Sequence, residues 1–308
     1  MDDSTRKTGV AGHIAPLAFL IMVLASAPAT GDSLTVAEHA RSFVHPKLRW
    51  PKDATFVGAG VAMIAGSRLM DVSVRPVPPE GFDPAVLSWS LDRDQVGKLS
   101  PQAADASDIA SAASVAYPMV IALVSQPSGE RFTGTLRRSV IYLESFLLAT
   151  GTSSLIKNSV DRPRPYTYVP ENQRQDPNYD VTKDEAFQSM PSSHASSSFC
   201  GAAFAMTDNL LTRPHASWPE RVGVAFTGGF LAGMTSVLRV SAGKHFPSDV
   251  LAGGAIGMAS GITVPLAHHY VTPVGKRGPS PSRGAWTQAV GGLLAGVGGG
   301  ILAAQAFD

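Results

Sequence analysis

Cysteine occurs once in these 308 residues, at Cys200, which excludes an internal disulfide and any cysteine-based metal cluster. Its plain reading is a small buried apolar residue on a helix. Charge is scarce as well: Asp, Glu, Lys and Arg make up 16% of the chain, against about 25% in ordinary globular domains. The formal net charge is +1, so there is no basic excess to line a nucleic-acid groove. Missing too is the two-residue alternation of half-buried strands, and the apolar stretches are too long to be strands. What remains is 44% apolar, yet the mean hydropathy is only +0.08, because Ala, Gly and Ser dilute the larger side chains. These proportions suit a membrane protein or a largely buried helical bundle.

The chain opens on a leader-like pattern: Arg6 and Lys7, an apolar run from Ile14 to Ala25, then Ala27-Pro28-Ala29. Residues 1–29 are therefore expected to be an export signal cleaved after Ala29, or else an N-terminal anchor. An extension over 30–106 follows, with one apolar helix at 54–70, a connection rich in proline (Pro76, Pro78, Pro79, Pro84, Pro101) and a short helix near 84–92. Longer apolar helical segments are expected at 108–126, 134–157, 193–211, 221–239 and 249–269, with a Gly-rich helix at 285–306. Ser107-Asp108 and Ser248-Asp249 are positioned as caps before Ile109 and Val250. The expected fold is an all-α bundle of about six core helices. A catalytic bundle occupies 107–269, and a basic loop with the additional C-terminal helix fills 270–308.

Glycines recur at four-residue spacing in Gly229/Gly233, Gly253/Gly257/Gly261 and Gly292/Gly296/Gly300, a pattern that lets helix backbones approach closely. Glu144, Asp208 and Asn209 interrupt the segments that contain them and make crossing a bilayer costly. Basic residues are balanced between the two sides. The expectation is an exported, periplasmic, water-compatible bundle, with membrane association or integration in the envelope as the alternative.

Three polar clusters stand beside helical segments: Lys157 to Pro165 (KNSVDRPRP), Pro191 to His194 (PSSH) and Arg239 to Asp249 (RVSAGKHFPSD). A phosphoryl group in transfer spreads negative charge over its equatorial oxygens, and fixed cations stabilise that distribution. Lys157, Arg164 and Arg239 are the candidates, the arginines as planar forks and the lysine as a movable point charge. Ser192 and Ser193 open a helix whose first N–H groups have no internal partner and so form an anion site. His245 is the candidate nucleophile, with Asp249 accepting a hydrogen bond from its other ring nitrogen. His194 is the candidate acid and base, protonating the leaving alkoxide and then activating water. No metal or other cofactor is called for. Tyr166, Tyr168 and the acidic loop 166–190 are expected to cover the pocket. His13, His39, His45, His215, His268 and His269 have no metal-ligand spacing to carboxylates or to Cys200.

Lys157-x6-Arg164-Pro165, Pro191-Ser192-Ser193-His194 and Arg239-x5-His245-x3-Asp249 together resemble the signature motifs of the type 2 phosphatidic acid phosphatase family, whose superfamily includes bacterial acid phosphatases and vanadium haloperoxidases. The resemblance covers about 107–269 and implies that superfamily's helical fold, with the same roles at the matching positions. Two positions depart from the pattern: Ser193 stands where glycine is usual and Leu238 where serine is usual. Serine keeps the backbone donor, whereas leucine removes a hydroxyl near the anion.

A metal-independent phosphatase is thus expected, acting on a phosphomonoester or on a lipid phosphate or pyrophosphate through a phosphohistidine. A vanadate-dependent haloperoxidase is the alternative from the same pocket, with vanadate as its cofactor, since that ion resembles phosphate in transfer. A non-catalytic anion-binding membrane protein is the alternative from another class. The shared motifs address only phosphate and are silent on the alcohol.

Overall fold

A computed structural model describes residues 43–126 and 131–307, so the leader-like segment 1–29 lies outside the described residues. Helices α1 (Trp50–Ser67), α2 (Ser90–Arg93), α3 (Pro101–Val124), α4 (Arg131–Val160), α5 (Ser193–Thr212), α6 (Trp218–Ser241), α7 (Pro247–Ala267) and α8 (Arg283–Ala304) carry the architecture. Two short strands, β1 (His45–Lys47) and β2 (His269–Val271), pair antiparallel with His45 opposite Val271. The fold is all-α, as the segment lengths imply.

Helix starts differ from the sequence reading in an instructive way. Helix α3 begins at Pro101 because the Ser100 hydroxyl accepts from Ala103 N–H at 3.2 Å, so Ser107 and Asp108 lie inside the helix and cap nothing. Pro101 suits the first helical position, where a missing N–H costs nothing. Helix α7 begins at Pro247, and Asp249 reaches back from its first turn to accept Phe246 N–H at 2.8 Å. Ser192 does cap α5, accepting from Ala195 N–H at 3.4 Å.

Helix α5 is the centre of the bundle. Its residues from Ala195 to Leu210 are buried except Phe199, and it packs against α3, α4, α6 and α7. That explains its composition: a helix enclosed on all sides needs small side chains, and ASSSFCGAAFA from Ala195 to Ala205 supplies them. The glycine ladder of α7 is the matching surface. A Cβ added at Gly253 or Gly257 would run into the main-chain oxygens of Ser192 and Ser196, so the two backbones are in contact. The ladder Gly292/Gly296/Gly300 meets the main chain of α6 at Val222, Phe226 and Phe230, which makes α8 a packed helix.

Among the described residues, five helices are long and apolar enough to cross a membrane: α3, α4, α6, α7 and α8. Their outward faces carry Leu123, Phe132, Leu136, Leu143, Leu251, Leu266, Leu294 and Leu302. Glu144 and Asp208, which argued against crossing in the sequence, point inward and are fully buried. Asp208 accepts from Arg138 Nε at 2.5 Å, and Arg138 also donates to Ser125 Oγ at 2.6 Å. A carboxylate compensated inside the bundle presents no charge to lipid, so that objection to membrane association is removed. The chain is suited to membrane association.

Candidate active site

The three polar clusters come together at one end of the bundle, where α4 and α6 finish and α3, α5 and α7 begin. The last turn of α4 carries Lys157, and the extended chain after it carries Arg162 and Arg164. Helix α6 ends with Arg239 in its last turn, and the chain then reverses through Gly243, whose φ of +65° favours glycine. That turn is closed by Lys244 N–H and His245 N–H, both donating to the Arg239 carbonyl at 3.1 and 3.2 Å. Ser192 N–H donates to the Asp249 carbonyl at 2.9 Å, which joins the starts of α5 and α7.

Arg239 is 5% exposed; its Nη1 donates to Asp108 Oδ1 at 3.1 Å and to Ser107 Oγ at 3.2 Å. His194 Nε2 lies 3.1 Å from the same Asp108 oxygen, so one carboxylate bridges the cation and the imidazole. Arg239 Nε is buried without a partner. Arg164 is held from the loop side, donating to the Glu185 carbonyl at 2.7 Å and the Lys244 carbonyl at 3.3 Å, with its Nη2 3.2 Å from Glu185 Oε1. Asp108 and Glu185 are mostly exposed, so each of these carboxylates sits at the rim of a cationic pocket.

His245 is buried, and its Nδ1 is 2.8 Å from the Ser189 carbonyl. A carbonyl can only accept, so Nδ1 carries the proton and Nε2 bears the lone pair. Asp249 was expected to take that bond, but its Oδ2 stands 3.8 Å from Nδ1. It instead accepts from Ser189 Oγ at 2.5 Å and from Phe246 N–H, and is paired with Arg162 Nη1. Ser189 therefore stands between the carboxylate and the imidazole, its hydroxyl on one and its carbonyl on the other.

Arg162 is the residue that the sequence reading passed over within its own motif. It joins Asp249 to Asp92 Oδ2, at 2.8 Å, and lies over the Phe246 ring at 4.5 Å. Asp92, in the short helix α2, also accepts from Ser248 N–H at 3.1 Å and Ser248 Oγ at 2.6 Å. Lys244, inside the third motif, is a further buried cation and pairs with the Asn178 carbonyl. The loop 166–190 is folded into 3₁₀ turns around Tyr166, Tyr179 and Phe187 and closes one side, as its aromatic content implies.

The field in this pocket is strongly positive. Burial, then Arg239, Lys157, Arg164 and Lys244, push the His194 pKa down to about 3, although a third of its side chain is exposed. Burial, followed by Arg164, Arg239, Lys157 and His194, holds His245 well below the usual imidazole range. Burial and Arg164 bring Lys244 down to about 8. Burial and these cations thus favour the neutral form of both imidazoles.

Residues 138–273 match the PAP2 superfamily. The match supports a phosphatase-type activity and a phosphorylated substrate. It begins at Arg138, so α3, which supplies Asp108, lies outside the PAP2-matched residues. No curated protein and no solved structure matches the chain.

Proposed function

We propose that this chain is a membrane-embedded phosphatase that cleaves a lipid phosphate or pyrophosphate ester at the membrane surface through a phosphohistidine on His245. The observation that carries the reading is the buried Arg239 Nε, unpartnered in a pocket where three further cations (Lys157, Arg164, Lys244) and two imidazoles converge. A buried donor left without an acceptor is costly, and a phosphate supplies several acceptor oxygens at once.

The His245 Nε2 lone pair attacks phosphorus as the ester P–O bond breaks, and the leaving oxygen takes a proton from His194. Entry of the phosphate dianion offsets the cationic field and lets His194 hold that proton. Water then attacks the phosphohistidine, giving its proton to His194; the P–N bond breaks, and inorganic phosphate leaves. Arg164, Arg239 and Lys157 bind the equatorial oxygens, with the Ser193 and His194 N–H groups at the start of α5. Arg162 and Asp92 hold Asp249, which holds Ser189, which fixes the tautomer of His245. Leu238 is fully buried in the apolar cluster with Ala103 and Ala242, so the hydroxyl usual at that position has no counterpart here. None of these steps routes through a metal.

A lipid substrate is favoured because the site lies at the ends of five apolar helices, where a headgroup meets water. The leader-like segment favours the exported side. Cys200 is fully buried, so a single cysteine placed at the exposed Thr182 reports orientation by its reaction with an impermeant maleimide in intact cells. Function is tested by phosphate release from phosphatidate and prenyl pyrophosphates in mixed micelles against a soluble aryl phosphate, together with trapping of an acid-labile, base-stable phosphoryl label on His245. Preference for the soluble ester overturns the lipid assignment; a label that survives His245→Ala overturns the nucleophile. Bromide oxidation by peroxide with added vanadate would favour the haloperoxidase alternative.

A further inference from the structure

At the opposite end of the bundle, Asp53 from the first turn of α1, Glu144 from α4 and His268 just beyond α7 bring three ligand atoms within 4.8 Å of one another, all in buried residues. His268 Nδ1 is 2.9 Å from the Val264 carbonyl, so it carries the ring proton. Nε2 faces Asp53 Oδ1 at 3.2 Å and Glu144 Oε2 at 3.1 Å. Two carboxylate oxygens and an imidazole nitrogen held this close call for a positive charge among them, a proton or a metal ion. Glu144 Oε1 is fully buried and has no hydrogen-bond partner.

We propose that Asp53, Glu144 and His268 bind one divalent first-row metal ion of the zinc or manganese class, clamping α1 and α4 to the end of α7. One imidazole with two carboxylates is a donor set that such ions take. The charges agree: two carboxylates and a neutral imidazole balance a divalent ion, whereas protonating His268 leaves one buried negative charge over. The spacing to His268 also agrees, because ligands about 2.0–2.1 Å from a tetrahedral zinc stand about 3.3 Å apart, close to the 3.2 and 3.1 Å from Nε2 to the two carboxylates. The Val264 carbonyl already plays the outer-shell part by fixing the imidazole tautomer. Asp53, 9% exposed, gives the ion a way in. The site is remote from the phosphate pocket, so its role is structural.

The full-length protein in detergent, stripped with a chelator and then dialysed against Zn²⁺ or Mn²⁺, is assayed for bound metal by mass spectrometry after gel filtration, with the thermal midpoint recorded in parallel. One ion per chain and a raised midpoint are expected. Glu144→Gln, which keeps the shape, should weaken binding by at least about tenfold, the lower end of what loss of an outer-shell partner alone costs, and remove the thermal shift. Asp53→Asn serves the same purpose should Glu144→Gln fail to fold, and His215→Ala, at an exposed histidine, leaves the stoichiometry unchanged. A wild-type chain that takes up neither ion, or a folded Glu144→Gln or Asp53→Asn variant that keeps stoichiometric metal, overturns the site.

Discussion

The two ends of the bundle treat buried charge in opposite ways. At the phosphate end, cations outnumber the carboxylates that reach them, and Arg239 keeps a buried donor with nothing to meet it. At the far end, Arg138 and Asp208 compensate each other with 1% of either side chain exposed, while Asp53 and Glu144 leave a local excess of negative charge around His268. A balanced buried pair is structural, since it needs nothing from outside. An unbalanced cluster calls for an opposite charge, and the ligands proposed are accordingly an anion at one end and a cation at the other.

The sharpest way to break this contrast is to remove the nucleophile. His245→Ala should lower turnover by at least about 10⁴-fold, in line with the loss of other covalent nucleophiles, while the thermal midpoint stays near wild type; retained turnover in micelles would sink the assignment. The far-end pair should behave in the opposite sense. Arg138→Ala strands Asp208 as an uncompensated buried charge and should cost about 3–5 kcal/mol of stability. The double variant Arg138→Ala/Asp208→Ala should recover part of that in detergent unfolding, because the stranded charge is gone. Equal losses in the single and double variants would mean that the pair is not coupled.

Arg239→Ala should reduce kcat by about 10²–10³-fold, the usual effect of deleting one preorganised charge-stabilising donor, and affect stability less than Arg138→Ala does. Asp92→Asn, which reaches the imidazole only through Arg162, Asp249 and Ser189, should cost about tenfold in kcat, the scale of losing an outer positioning partner, with KM unchanged. A change in KM alone would place Asp92 in substrate binding.

The smallest expected effect is on pH dependence. Burial and the surrounding cations lower the His194 pKa to about 3, and the proposed acid must carry a proton to release the alcohol, so kcat/KM should rise as pH falls toward 4. A flat profile from pH 4 to 8 would count against this acid. Stability runs the other way. Both imidazoles have folded-state pKa values below the ordinary value of about 6.5, so the unfolded chain binds more protons. The stability they contribute is complete above that pH and is lost as the pH drops toward the folded values. Inorganic phosphate or vanadate should reduce that acid loss by offsetting the cations.

Much of the architecture could be read without coordinates. The segments at 193–211, 221–239 and 249–269 were placed to within about three residues, because apolar length and turn residues act locally. The start of α3 was misplaced because Ser100-Pro101 is as good a beginning as Ser107-Asp108, and only packing chooses between them. Glu144 and Asp208 were misread as obstacles to membrane contact, since a linear pattern does not say which side of a helix has a partner. His268 looked inert because its carboxylates lie far away in sequence, on α1 and α4.

Sequence by itself determined that the chain is helical and marked three short clusters as candidates for phosphate chemistry, because helix periodicity and motif spacing are properties of neighbouring residues. Only the tertiary structure decided that Ser189, with Asp249 behind it, orients His245, that Asp108 bridges Arg239 and His194, and that Asp53, Glu144 and His268 converge. Those relations join residues far apart along the chain, and they depend on helices packed at backbone contact through glycine and serine, a closeness no local pattern can specify.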